Sequence, residues 1–361
     1  MDERAKQLYE KAITNYKLHQ YEDALKCISL AIEIDPSFSD FYMLRGMSNY
    51  LLGNYDTIIH DYSKAIELEP NIAYYYSARG REYTELQRYN EALVDFSKAI
   101  DLDSSLAEYY SNRSYIYSLL NKHYEALSDA NKAIELSDDR PVYYFERGII
   151  FFKLNMFAAA IKDYDKAIDL DPDIANYYYE RANTYSSLNK FDEVINDSNK
   201  AIELDSKVAN YYLTRGIAYL RLNKINEALI DFDVAIKLDS NISIYHYYKG
   251  FTYATIKSYN EAIINYSKAI ELNSDIADYF YLRAASYSML NQHNEVLEDI
   301  NSAISLSSKI AEYYFLRGIT YFKLGFANKA LVEYEYALEL DQNNEEYKYH
   351  IDEVTKYIRN N

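Results

Sequence analysis

The dipeptide Ala-Ile returns along this chain at Ala31-Ile32, Ala65-Ile66, Ala99-Ile100, Ala133-Ile134, Ala167-Ile168, Ala201-Ile202, Ala235-Ile236, Ala269-Ile270 and Ala303-Ile304, and once more as Ala337-Leu338. Every step is 34 residues, without insertion. A period sustained ten times restricts the chain to an array, in which each repeat is one supersecondary element that buries its apolar face on its neighbours. The register gives repeats 5–38, 39–72, 73–106, 107–140, 141–174, 175–208, 209–242, 243–276, 277–310 and 311–344, followed by 345–361. The expectation is a single solenoid domain over 1–361, because an array lengthens by adding neighbours rather than by enlarging one core.

Within the sixth repeat the larger residues fall at Tyr178, Tyr185 and Leu188, then at Phe191, Val194, Ile195, Ala201, Ile202 and Leu204. Spacings of three and four on either side of Asn189-Lys190 predict a helix, a tight turn and a second helix. Position eight of the repeat is never larger than Ser: Ala12, Gly46, Gly80, Ser114, Gly148, Ala182, Gly216, Gly250, Ala284 and Gly318. A larger side chain there would push two crossing helices apart. The other two of the eight glycines, Gly53 and Gly325, fall at the turn, so none is left to build a phosphate-cradling loop. Position twenty is Ala in seven repeats and Val or Ile in three, and position twenty-seven is Ala in all ten.

These residues carry a resemblance. In the third repeat Tyr76, Gly80, Tyr83, Ala92, Phe96, Ala99 and Ser104 occupy the signature positions four, eight, eleven, twenty, twenty-four, twenty-seven and thirty-two, and over residues 5–344 the chain is similar to the tetratricopeptide repeat family. The resemblance implies an all-α fold, a right-handed α-solenoid of ten helix-turn-helix units. The family's proline at position thirty-two survives as Pro36, Pro70 and Pro172; Ser104, Ser206, Ser240, Ser274 and Ser308 replace it elsewhere, where a serine is expected to end one helix and cap the next. A helical repeat of about 35 residues that reads RNA base by base is disfavoured by the small-residue columns, the acidic charge and the strict period. Tyr347, Ile351, Val354 and Ile358 form a stripe that predicts a C-terminal capping helix over 345–361.

A departure from the family pattern is physically informative. Relatives often carry Leu at position seven and Tyr at twenty-three, whereas this chain has Arg or Lys at seven throughout and an acid or Asn at twenty-three from the second repeat on. Structural ion pairs are expected for Arg45–Asp61, Arg79–Asp95, Arg113–Asp129, Arg147–Asp163, Arg181–Asp197, Arg215–Asp231 and Arg283–Asp299, since a half-buried guanidinium left unpaired would cost several kcal/mol. The eighth repeat weakens both columns together, with Lys249 and Asn265.

Charge and chemistry narrow the function classes. With 38 basic against 56 acidic side chains the net charge is −18, and no basic stripe offers itself to phosphates, which argues against nucleic acid and anionic membrane surfaces. The opening MDERAKQLYEKA lacks a signal-peptide layout and no run reaches the roughly 18 apolar residues of a membrane span. One cysteine, Cys27, fits a reducing compartment, so a cytoplasmic protein is expected. The six histidines scatter over repeat positions without metal-ligand spacing, and no triad pattern stands out. No catalytic residue, metal or cofactor is assigned.

What remains is surface. The resemblance implies a concave groove lined by the first helices through positions two, five, nine, twelve and thirteen. Carried onto this chain, those positions are apolar in repeat five (Val142, Phe145, Ile149, Phe152), seven (Leu213, Ile217, Leu220), eight (Ile244, Tyr247, Phe251) and ten (Phe315, Ile319, Phe322), and more polar in three, four and six. Packing of first helices on one another competes for the aromatics at positions five and twelve. Position five holds no Lys, so a carboxylate clamp for chaperone tails is not expected. The reading is a non-catalytic scaffold for an extended or helical protein segment with apolar anchors and basic residues. A self-assembling array, and the regulatory array of an enzyme on a separate chain, remain open alternatives.

Overall fold

The computed structural model describes residues 2–360, which form twenty-one α-helices and one 3-10 turn at Tyr55–Thr57. They divide between Glu180 and Arg181 into two compact bodies. In both, the helices come in pairs: in the first body Ala73–Glu85 with Tyr89–Leu102, in the second Ser243–Thr255 with Tyr259–Leu272. Leaving aside Ala175–Ser187, which spans the division, each helix packs on the next, and within each body first helices of consecutive repeats also touch. Ala107–Leu119 meets Ala73–Glu85 and Pro141–Lys153 in the first body, and Ser243–Thr255 meets Ala209–Arg221 and Ala277–Met289 in the second.

The turn inside each repeat is a left-handed residue at position fifteen. It is Asn in five repeats (φ 56° to 59°), Gly at Gly53 and Gly325, and His19, Gln87 and Lys257 in the other three. Asn tolerates this region better than most residues with a Cβ, which explains the column. In the third repeat Arg88 N–H donates to the Tyr83 carbonyl at 2.7 Å and Gln87 N–H to that of Thr84 at 2.9 Å, the paired bonds that close a helix C-terminus.

Between repeats the expected serine caps are not what holds the chain. The residues that precede the first helices, such as Ile72, Leu106 and Ile242, make no side-chain cap bond. The bond comes instead from the residue at position thirty-one, whose side-chain oxygen accepts the N–H two residues on: Asp103 from Ser105 at 2.9 Å, Asp205 from Lys207 at 3.0 Å, Asn273 from Asp275 at 3.0 Å. A serine at position thirty-two contributes its carbonyl, which accepts the tyrosine hydroxyl of position four, as Ser308 does from Tyr314 at 2.9 Å. Pro70 serves Tyr76 in the same way at 3.0 Å. Pro and Ser therefore interchange because only their backbone oxygen is used.

The small columns have defined partners. A Cβ added at Gly80 would stand 3.0 Å from the Phe96 ring, and one at Gly250 3.0 Å from the Tyr266 ring. Every glycine at position eight faces an aromatic at position twenty-four, while Ala12, Ser114, Ala182 and Ala284 share their repeats with Ile28, Ala130, Ser198 and Ile300. Each ring is thus seated in the notch left by a missing methyl group, a volume exchange that keeps packing dense. Position twenty-seven is fully buried in all ten repeats. The last helix, Glu345–Asn360, is capped by Asn344, whose Oδ1 accepts Glu346 N–H at 3.1 Å, and it buries Tyr347 and Val354 on the tenth repeat.

Candidate functional site

The charged columns lie inside the array and set the spacing of the helices whose outer faces form the candidate site. Arg79 Nε donates to Asp95 at 2.8 Å and its Nη2 to the other carboxylate oxygen at 2.7 Å, a two-pronged pair; the remaining Nη1 reaches Ser63 of the preceding repeat at 2.9 Å. The same two-pronged pair joins Arg45–Asp61, Arg113–Asp129, Arg147–Asp163, Arg181–Asp197, Arg215–Asp231 and Arg283–Asp299. The guanidinium also lies between the rings of positions four and eleven, 5.9 Å from Tyr76 and 5.7 Å from Tyr83 in the third repeat. Hydrogen bonding to Asp95 raises the pKa of Arg79 above its ordinary value. Two repeats differ. Glu333 is one methylene longer and reaches only Nη2 of Arg317, leaving the buried Nε without a partner. Lys249 turns to Asp233 of the preceding repeat, while Asn265 donates to the Glu261 carbonyl at 2.8 Å.

The groove-column residues separate into three environments. In the first body Val142, Phe145 and Ile149 line a cleft of about 210 Å³ together with Glu146 and Lys153. In the second, Ile217, Leu220, Tyr247 and Phe251 line one of about 350 Å³. Val142 and Phe251 are 37% and 39% exposed. Leu213 and Ile244 instead pack into the cluster around Ala209, Ala235 and Tyr245, and the Phe152 ring stacks 5.6 Å from Phe157 of its own repeat. Phe315, Ile319 and Phe322 meet the C-terminal helix: Phe315 lies 4.6 Å from Tyr347, Phe322 5.4 Å from Tyr357, and Ile319 joins the cluster around Val354. Aromatics at position five lie tilted against position three of the next repeat, as Phe145 does on Tyr177 at 4.8 Å and Tyr247 on Tyr279 at 5.3 Å.

A further cleft lies elsewhere on the same columns. Residues from the first four repeats, among them Tyr50, Tyr62, Tyr74, Glu82, Glu85 and Asn112, enclose about 410 Å³. Glu82 is only 7% exposed; burial, with Glu85 nearby, pushes its pKa up to about 7 against the opposing pull of Arg81. Glu146 of the smaller cleft is likewise pushed up to about 7 by burial, although it accepts the Ser111 hydroxyl at 2.5 Å.

Tetratricopeptide repeat models match residues 39–72, 107–140, 141–174, 163–195, 209–242, 245–276 and 311–344, and a further repeat model of the same family matches 80–121. The chain belongs to the tetratricopeptide repeat family. Its helix pairs, turn and small columns are those of that repeat. Among solved structures it is similar to a tetratricopeptide repeat protein from Parabacteroides merdae, with 19% identity, 69% of this chain and 98% of that one covered, and a TM-score of 0.52. It is also similar to the Cut9–Hcn1 hetero-tetramer of the APC/C, with 13% identity, 97% and 96% covered, and a TM-score of 0.51. At these identities the likeness establishes the fold. No curated protein sequence matches the chain.

Two features of this tetratricopeptide array were readable in the sequence and missed there. Position ten is Thr14, Ser48, Ile116, Ile150, Thr184, Ala218, Thr252, Ser286 and Thr320, a short or aliphatic column in which Glu82 alone is charged. The pairing of Gly at eight with an aromatic at twenty-four is visible by comparing two columns row by row. Among the described residues no helix is long and apolar enough to cross a membrane.

Proposed function

We propose that this chain is a non-catalytic scaffold that holds segments of partner proteins against the exposed face of its first helices. The observation that carries the reading is that the clefts are built from the same columns, chiefly positions two, five, nine and twelve of neighbouring first helices. Those columns change residue from repeat to repeat while the packing columns do not. Exposed apolar anchors such as Val142 and Phe251 suit apolar side chains of a bound segment. The net charge of −18 favours partners that also carry Lys or Arg, with association that slows as salt rises.

The test is selection of phage-displayed random nonapeptides on the full chain, with affinities measured for the wild type and for Phe251→Ser. Peptides with apolar anchors should be recovered, and part of the set should lose about tenfold in affinity on that substitution, or about 1.4 kcal/mol. Phe251 is exposed, so the melting curve should barely move. Recovery of no peptide above the level of an uncoated surface would sink the proposal.

A further inference from the structure

We propose that the cleft enclosed by the first four repeats takes a cationic side chain, the ammonium of a lysine or the guanidinium of an arginine on a partner segment, with Glu82 as its counter-charge. The inference rests on the segment-binding reading above and says where a basic residue of that segment would go.

Glu82 is the observation that points to a ligand. Its side chain is more than nine-tenths buried, it lines both the 410 Å³ cleft and an adjoining one of about 260 Å³, and its carboxylate makes no hydrogen bond or ion pair within the chain. The aspartates buried at position twenty-three each have their cation: Asp61, Asp95, Asp129, Asp163, Asp197, Asp231 and Asp299 are each held by an arginine. Arg81 lines the same cleft and acts on Glu82 only at a distance, since its guanidinium is paired with Glu108 at 2.9 Å. A carboxyl left without a partner in a low-dielectric site is costly, and an incoming cation removes that cost.

The surroundings select the class of cation. Glu85, three residues on and therefore on the same helical face, brings a second and exposed carboxylate to the cleft. Tyr50, Tyr74 and Tyr115 line it while 45%, 42% and 48% exposed, so ring surface is open to the methylene stem and to the charge of a Lys or Arg. Asn112 Nδ2 is buried at the wall without an acceptor, a donor suited to a carbonyl of the same segment. A divalent metal is a poorer occupant, because the described residues gather no group of three or more acidic, His or Cys ligands. An anionic ligand would meet two carboxylates, and the one guanidinium of the cleft, Arg81, is already paired with Glu108.

The experiment uses the full chain and the same nonapeptide library. Selected peptides should fall into a class with Lys or Arg at a fixed distance from an apolar anchor. For a peptide of that class, replacing its Lys by norleucine should cost about tenfold in affinity on the wild type and almost nothing on Glu82→Gln, the signature of a charge pair in a double-mutant cycle. Glu85→Gln, being exposed, should cost only about threefold. Glu82→Gln removes an unpaired buried charge, so it should melt no lower than the wild type at pH 8, and loss of binding cannot then be loss of folding. Recovered peptides with no fixed basic residue, or equal losses on wild type and variant, overturn the cationic assignment while leaving the scaffold reading intact. Recovery of no peptide at all overturns both. Spermidine binding more tightly than the peptide overturns the assignment to a partner's side chain in favour of a free amine.

Discussion

Repeats three (73–106) and eight (243–276) share a frame and differ in almost everything hung on it. Both seat an aromatic ring against a position-eight glycine, Phe96 on Gly80 and Tyr266 on Gly250. Repeat three locks Arg79 into a two-pronged pair with Asp95, whereas repeat eight has Lys249 reaching back to the largely exposed Asp233 and Asn265 satisfied by its own helix. At position nine one carries Arg81 and the other Phe251; at position ten one buries Glu82 and the other Thr252. The ring-in-notch packing is therefore common to two repeats that differ elsewhere, as it is to four others of the ten. The ion pair is one of two ways to satisfy the same helix interface, and the outer face is free. Removing one partner of each pair should break the comparison most strongly. Asp95→Ala leaves a guanidinium only 19% exposed without its carboxylate and should cost about 3–5 kcal/mol. Asp233→Ala loses a pair whose acid is 59% exposed and should cost less than about 1 kcal/mol. Because arrays need not unfold in one step, the readout is hydrogen exchange of the first helix in each repeat alongside urea midpoints. Equal losses in the two would show that the pair in repeat three adds nothing over the looser contact.

The buried acid sharpens the comparison through pH. Glu82 has its pKa raised to about 7 in the fold, above the ordinary carboxylate value, chiefly by burial. The folded chain thus binds that proton more tightly than the unfolded chain. Its stabilising effect is complete below about pH 4.5 and is lost as pH rises through 7. Glu82→Gln should therefore be more stable than the wild type by about 2 kcal/mol at pH 8, with the gap closing by about pH 5. Thr252→Val in repeat eight should shift stability by an amount that does not vary over the same range. A gap for Glu82→Gln that is flat with pH would mean that Glu82 is ionised throughout.

The architecture was legible because an array writes each constraint ten times. Columns eight, twenty and twenty-seven showed where backbones approach, and the stripe from Tyr347 to Ile358 showed a helix with one apolar face. What the columns could not show is which neighbour each face meets. Phe315 and Ile319 look like open groove residues in the sequence, but the C-terminal helix presents Tyr347 to the phenylalanine and Val354 to the cluster that Ile319 joins, while Phe322 touches Tyr357 and stays as exposed as Val142. The serines at position thirty-two look like caps, yet the carboxylate one residue earlier makes the turn and only the serine carbonyl is used. Glu82 was hidden for the opposite reason. Repetition marks the packing columns, and the meaning of Glu82 lies in being the one charge in a column of short or aliphatic side chains.

The smallest expected effect lies in the turns, where repeats three and eight both depart from the common choice. Gln87 and Lys257 hold φ at 57° and 63°, where five other repeats place Asn and two place Gly. Asn lowers the strain of the left-handed region through its short polar side chain, while Gly removes the strain but gives the unfolded chain more freedom. Gln87→Asn and Lys257→Asn should each stabilise by about 0.5 kcal/mol, seen as a small rise in urea midpoint with unchanged slope. The two turns lie in different bodies and share no partner, so the double variant should gain the sum of the single gains. Asn291→Gln should lose a similar amount. If neither forward substitution gains anything, the paired backbone bonds, such as Ser258 N–H to the Tyr253 carbonyl at 2.9 Å, already fix the turn whatever side chain it carries. The Asn column would then need another cause.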